Sequence, residues 1–366
     1  MPRMICSFIA VKILRSGRYF WARNSVLCIH EPLYLGKQTK IFLNYILGPA
    51  LFVWLGWSIY RQLQRQADLS HSWNILRASL TGSKSWMLWL AILLVSVNML
   101  LESRKWQLLA QRIQPVSLMQ SLRSVLLGQA LAFGTPNRLG EPAGRVAILS
   151  EGNRSRGIAL SLISNFSQLL ATFIAGLIGL VYLRLGIPAA AQQLDIIPAW
   201  GYNGFVLVTA ALTIMLLIAY YRLAWLIKWL EKWAFAARYR YLIAELENLS
   251  SGELTRILMF SVGRYVVFVV QYVLVLQVFD VEIQALDAAC LVAVMCLLLA
   301  IIPTISFAEL GFRGEIGLWL FGMLSANVLG IVAATTGIWL MNLVLPATIG
   351  SLFLLGLRLF RTKKEV

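Results

Sequence analysis

Long apolar runs dominate this chain, bounded by clusters of arginine and lysine rather than by the alternating polar positions of strands. The clearest cover residues 41–60, 85–101, 158–183, 201–221 and 254–279. Runs of this length suit helices crossing a hydrocarbon layer about 30 Å thick. A final stretch, 316–357, is interrupted at Ser325-Ala326-Asn327 and again at Pro346. Two other apolar runs behave differently. Residues 118–133 end in Gly134-Thr135-Pro136, and residues 285–302 end at Pro303, each followed by a polar segment rich in Gly, Arg and Glu.

Basic residues concentrate in cytoplasmic loops, which sets an orientation. The tail before residue 41 carries Arg3, Lys12, Arg15, Arg18, Arg23, Lys37 and Lys40, and the 222–256 loop carries Arg222, Lys228, Lys232, Arg238, Arg240 and Arg256. Both are placed inside, with the C-terminal Arg358, Arg361, Lys363 and Lys364. The 184–200 loop, with Arg184 as its one base, and the acidic 280–287 loop are placed outside. The 61–84 loop runs against this scheme, since it carries Arg61, Arg65, Arg77 and Lys84 on the outside. These assignments agree only if residues 118–150 enter and leave from the cytoplasm, and residues 285–324 from outside. The expected fold is an all-α polytopic membrane protein of about six full transmembrane helices plus two re-entrant broken-helix hairpins. A basic, poorly ordered cytoplasmic tail is expected over 1–40, one transmembrane domain over 41–360, and a basic tail over 361–366. Trp225, Trp229 and Trp233 recur every fourth residue beside Lys228 and Lys232, as in a helix lying in the membrane interface.

Both hairpin tips are charged. The first holds Arg138, Glu141 and Arg145 around Pro142, which suits the first turn of a new helix. Glu141 and Arg145 are then one turn apart, glutamate first, the order that favours pairing. The second tip repeats the ingredients with Glu309, Arg313 and Glu315 among Gly311 and Gly314. Irregular backbone at membrane depth is tolerated where it is buried in protein or lines a wet cavity. The six charged residues therefore point to a polar substrate pathway. The simpler reading is a set of interfacial ion pairs that fix loop shape. Asn165 and Gln168 on the 158–183 span and Arg264 on the 254–279 span are secondary candidates; Ser161 and Ser164 share the first of these spans, and polar residues within spans often serve as interhelical glue. Arg264 is expected to pair with a hairpin glutamate.

Composition changes the picture little. Hydrophobic residues make up 59% of 366 and charged residues only 13%, so the bilayer must serve as solvent. The net charge of +16 suggests nucleic acid, but the bases sit at the ends of apolar runs, where membrane topology puts them. Cys6, Cys28, Cys290 and Cys296, with His30 and His71, have no metal-site spacing, and no cofactor or metal is expected.

Residues 136–145, followed by Ala147-Ile148-Leu149, and residues 303–315 with Gly311-Phe312-Arg313-Gly314-Glu315, resemble the lysylphosphatidylglycerol synthase transmembrane, or flippase-like, family. The order of apolar segments extends the resemblance over about 41–360. It implies a membrane domain with lipid-translocating, or flippase-like, activity. With the hairpin arginines and the basic tails, the expected protein is a bacterial inner-membrane translocator of lipid or lipid-linked substrates with anionic headgroups, both termini cytoplasmic. Larger members add a soluble aminoacyltransferase domain; this chain reaches Val366 without one, so lipid aminoacylation is not expected. Members can carry charges on the span after the first hairpin, where this chain has Asn165 and Gln168. Two alternatives stand beside translocation: a non-transporting partner of a separately encoded envelope or lipid-modifying enzyme, and an intramembrane headgroup enzyme using Glu141 or Glu309 as base.

Overall fold

The computed structural model describes residues 82, 84–133, 135, 138–188, 198–222, 249–302 and 306–356. The expected tails, the 41–60 span and the tryptophan stripe at 225–233 lie outside these residues. The described residues form α1 (Ser85–Ala110), α2 (Leu118–Phe133), α3 (Gly140–Val146), α4 (Arg154–Leu185), α5 (Ala199–Tyr221) and α6 (Ser251–Val278). Beyond α6 come α7 (Ala285–Ile301), α8 (Ser306–Phe321), α9 (Val328–Trp339), a π turn over Leu340–Val344, and α10 (Leu345–Gly356). A short 3₁₀ turn, Glu151–Asn153, leads into α4. The protein is an all-α polytopic membrane protein.

Among the described residues, five stretches are long and apolar enough to cross a membrane: Ser85–Ala110, Glu151–Leu185, Ala199–Tyr221, Ser251–Val278 and Val328–Phe353. By contrast, α2, α7 and α8 have only 16, 17 and 16 residues. At 1.5 Å per residue each reaches about 25 Å, short of the hydrocarbon thickness. Only Tyr202, Thr209, Thr213 and Tyr220 of α5 are buried, as a lipid-facing helix requires.

Polar side chains fix which ends share a face. On one face, Arg112 just beyond α1 lies 3.3 Å from Glu253 in the first turn of α6, so α1 and α6 run antiparallel. Tyr220 near the end of α5 donates to the Leu254 carbonyl at 2.8 Å on the same side. Gln114, at the entrance to α2, accepts hydrogen bonds from the Ser150 N–H (3.1 Å), the Ser150 hydroxyl (2.9 Å) and Asn153 (3.2 Å) at the exit of α3. The α2/α3 hairpin therefore enters and leaves on one face.

The opposite face is pinned equally. Lys84 pairs with Asp280 at 2.6 Å, joining the start of α1 to the end of α6. This pair neutralises one of the bases that sat awkwardly in the topology. Tyr182 near the end of α4 donates to Asp287 at 3.1 Å. Asn327, at the exit of α8, donates to the carbonyls of Phe279 and Asp280, both at 3.0 Å, immediately before α7 begins. The same side chain accepts from the Gly330 N–H at 2.8 Å and so caps α9. The α7/α8 hairpin thus enters and leaves on this second face.

The chain reads as span, hairpin, span twice over, α1–α4 and α6–α10, with the hairpins entering from opposite sides. No sequence repeat announces this, because the halves share element order rather than residues. The α2/α3 hairpin closes tightly because glycines line its seam. A Cβ on Gly144 would lie 2.4 Å from the Leu127 carbonyl oxygen, and one on Gly140 would lie 2.3 Å from that of Leu131. Thr135 bridges the turn, accepting from the Gly140 N–H at 2.8 Å and donating to the Leu131 carbonyl at 3.2 Å.

The π turn has a local cause. Pro346 has no N–H to donate to the carbonyl of residue 342, so the regular ladder fails there and the helix widens by one residue per turn.

Candidate functional site

Hairpin tips from both faces meet at one cavity of about 890 Å³. Its walls include Arg138 and Glu141 from the first hairpin, Glu309 and Arg313 from the second, and Asn165, Gln168 and Arg264 from the spans between them. Seven of the nine sequence candidates therefore line a single space.

The first hairpin supplies a chain of ion pairs. Arg138 sits at the tip with φ of 58°, in the left-handed region that costs a non-glycine residue about 1–3 kcal/mol. Its side chain is held by Gln129, which accepts from Nη2 at 2.5 Å, and by Glu141, 3.3 Å from Nε. Glu141 in turn pairs with Arg145 one turn along α3. Pro142 lies in the first turn of α3, as the sequence predicts.

Arg145 does not line the cavity. It is 1% exposed and lies behind Glu141, where it meets a carboxylate the sequence reading passed over. Glu102 on α1, 0% exposed, accepts from Arg145 at 2.5 Å, lies 2.9 Å from Lys105, and pairs with Arg264 of α6. Lys105, also fully buried, reaches the Ser164 carbonyl (3.3 Å) and the Ser261 hydroxyl (3.2 Å). Arg145 donates to the Ser164 hydroxyl at 3.0 Å, and its guanidinium lies 5.8 Å from the Trp106 ring centre. Ser164, expected only as helix glue, is thus part of the network. Glu102 holds three cations from three different elements: Lys105 on its own helix, Arg145 on α3 and Arg264 on α6.

Arg264 does pair with a glutamate, but with Glu102 rather than with either hairpin. The reason is antiparallel packing of α1 against α6, which sets Arg264 beside Asn98 and Glu102. Its Nε donates to Asn98 at 2.8 Å and a further N–H reaches Gln168 at 3.3 Å. Gln168 is thereby tied to the charged network, and Asn165 stands beside it on the wall.

The second hairpin contributes Arg313, 2.5 Å from Glu309 one turn before it on α8. Arg313 is 6% exposed, and its Nε and Nη1 are buried without a hydrogen-bond acceptor among the described residues. Glu315 is a correction to the sequence reading. It is exposed and absent from the cavity wall, because two residues beyond Arg313 on a helix is a turn of about 200°, onto the opposite face.

Asn342 of the π turn closes one side of the cavity and donates to Gln271 at 3.0 Å. Among the described residues, no group of three His, Cys, Asp or Glu side chains could hold a metal ion. Cys296 lines the cavity and Cys290 lies one helical stretch away, both as free thiols.

Glu102 and Lys105 left a signal in the sequence. Asn98, Glu102 and Lys105 recur at helical spacing on one face of a run that otherwise ends at 101. Read as the charged end of a span, they belong to the interface. The structure extends α1 to Ala110 and carries them inside.

Among the described residues, five stretches long and apolar enough to cross a membrane, two opposed re-entrant hairpins and a charged cavity between their tips define a polytopic membrane protein built around an internal polar compartment. Residues 45–350 match the lysylphosphatidylglycerol synthase TM region family, and the chain belongs to it. No curated protein and no solved structure matches the chain.

Proposed function

We propose that this protein translocates lipids or lipid-linked substrates with anionic headgroups across the bacterial inner membrane. The observation that carries this reading is the meeting of two opposed hairpins at one cavity. Each hairpin enters from its own face, so each can open or seal the compartment toward that face while the spans remain fixed. Broken helices at a midplane site recur among transporters for this reason. Arg138, Arg264 and Arg313 would attract the headgroup, while Glu141 and Glu309 hold the arginines in position or exchange partners as the hairpins move. Arg145, Glu102 and Lys105 would form the fixed base of the site.

Charge distribution supports an orientation. Arg112, Arg154, Arg156, Arg222 and Arg256, with Glu151 and Glu253, flank the face where the first hairpin enters, whereas the other carries two bases, Lys84 and Arg184, with Asp280, Glu282 and Asp287. By the positive-inside tendency, the first hairpin opens to the cytoplasm and both termini lie there.

The reading predicts leaflet exchange of labelled anionic lipids in liposomes containing the purified protein. Arg264→Gln should slow exchange by at least about tenfold, the loss of one partly desolvated charge contact. Folding of the variant is checked by its thermal midpoint in detergent. Absence of exchange by well-folded wild-type protein with every headgroup tested would overturn the reading in favour of a non-transporting partner.

A further inference from the structure

The charges around the cavity do not balance. Lys105, Arg138, Arg145, Arg264 and Arg313 face only three described carboxylates, Glu102, Glu141 and Glu309. Two positive charges are left over in a compartment walled by helices, where an uncompensated ion costs several kcal/mol. Three of the five cations are shut away from water: Lys105, Arg145 and Arg313 are 0%, 1% and 6% exposed.

The hydrogen-bond inventory agrees with the charge count. Arg313, which lines the cavity, uses one nitrogen on Glu309, and its Nε and Nη1 are buried without an acceptor among the described residues. Buried donors left unmade carry their full desolvation penalty. Nε and Nη1 lie on different sides of the guanidinium fork, with Nη2 on Glu309 between them, so each has room for one further acceptor oxygen of the kind a phosphate presents. Across the cavity, Arg138 and Arg264 remain on the wall with part of their surface open, at 40% and 17% side-chain exposure.

We infer that the cavity takes a doubly charged terminal phosphate, in preference to the singly charged phosphodiester of ordinary phospholipid headgroups and to any cationic headgroup. Two negative charges restore neutrality, and the oxygens of a terminal phosphate supply the acceptors that Arg313 lacks. A phosphodiester carries one charge and has two of its oxygens esterified. A headgroup ending in an ammonium adds to the surplus. The inference rests on the proposed translocation only for the ligand being a lipid; the charge match itself is a statement about binding.

The test measures binding to the full-length protein in detergent by competition among soluble probes: dodecyl phosphate, a dialkyl phosphate of equal carbon number, dodecyl ammonium and inorganic phosphate. At pH 7.5, dodecyl phosphate should bind at least about tenfold more tightly than the dialkyl phosphate, from the added charge in a low-dielectric site. The second ionisation of a phosphomonoester lies near pH 6. Preference for dodecyl phosphate should therefore shrink between pH 7.5 and pH 5.5. The dialkyl phosphate stays singly charged throughout, so it reports any change in the protein's own groups. Arg313→Gln should remove most of the preference while leaving the thermal midpoint close to wild type.

Inorganic phosphate binding as tightly as dodecyl phosphate would support the charge match and assign it to the free ion. Much weaker binding of inorganic phosphate would assign it to a lipid. Equal affinity for mono- and dialkyl phosphate at pH 7.5, or binding of the ammonium probe, would overturn the inference and leave translocation standing. Tight dodecyl phosphate binding without leaflet exchange of any phosphate lipid would do the reverse.

Discussion

Replacing Glu102 with glutamine should destabilise the folded protein by about 3–5 kcal/mol, the usual result of removing one partner from a buried ion cluster. The side chain is almost unchanged in shape, so packing is not the cause. What is lost is the one carboxylate shared by Lys105, Arg145 and Arg264. The three cations then sit together with only Glu141 to answer them, and α1, α3 and α6 repel where they now attract. Lys105→Met should behave very differently. It removes a cation from a site that already holds a surplus, and Glu102 keeps both arginines. Its cost should be at most about 1–2 kcal/mol, mainly from the Ser164 and Ser261 acceptors left behind. Thermal midpoints in detergent, read from tryptophan fluorescence, separate the two. Equal losses would show that the network is a set of independent pairs rather than one carboxylate holding three helices.

Gly350→Val should be the most damaging change at a helix crossing. A Cβ there falls 1.9 Å from the carbonyl oxygen of Leu126, so the backbones of α10 and α2 must part before any side chain fits. Overpacking of a tight contact costs about 1–3 kcal/mol, and backbone against backbone belongs at the upper end. The consequence is also functional, since α10 continues directly from the π turn that holds Asn342 on the cavity wall, and α2 carries the first hairpin to the cavity. Gly204→Ala on α5 is the control: nothing lies within 4 Å of its added Cβ, and alanine is the better helix former. The expected result is a lowered midpoint and impaired leaflet exchange for Gly350→Val, with neither change for Gly204→Ala. A Gly350→Val protein of wild-type stability would mean that α10 does not press on α2.

The hairpins were legible in the sequence because bilayer topology leaves few solutions. Acidic and basic loops, a number of apolar runs between them whose parity did not fit the assigned sides, and breaks at Gly134-Thr135-Pro136 and at Pro303 forced the two same-side excursions. The Glu141–Arg145 pair was legible because helical spacing is local. What could not be read was which distant helix would answer a charge. Arg264 meets Glu102 across 162 residues, a contact set by antiparallel packing of α1 on α6. Glu102 and Lys105 were obscured by their place beside Arg104 at the end of an apolar run, where charges ordinarily mark the interface. Glu315 failed for the opposite reason. Its neighbours in sequence are in the site, but helix geometry turns it away.

The most direct test of a compartment served from both faces is solvent access to Thr172. This residue sits midway along α4 on the cavity wall, and its hydroxyl donates within its own helix, to the Gln168 carbonyl at 3.0 Å. Thr172→Cys, in a protein whose four native cysteines are replaced, would be challenged in sealed vesicles with a small charged thiol reagent added to one side at a time. Opposed hairpins predict modification from either side, slowed by dodecyl phosphate. Modification from one side alone, or from neither, would contradict a cavity that both hairpins open.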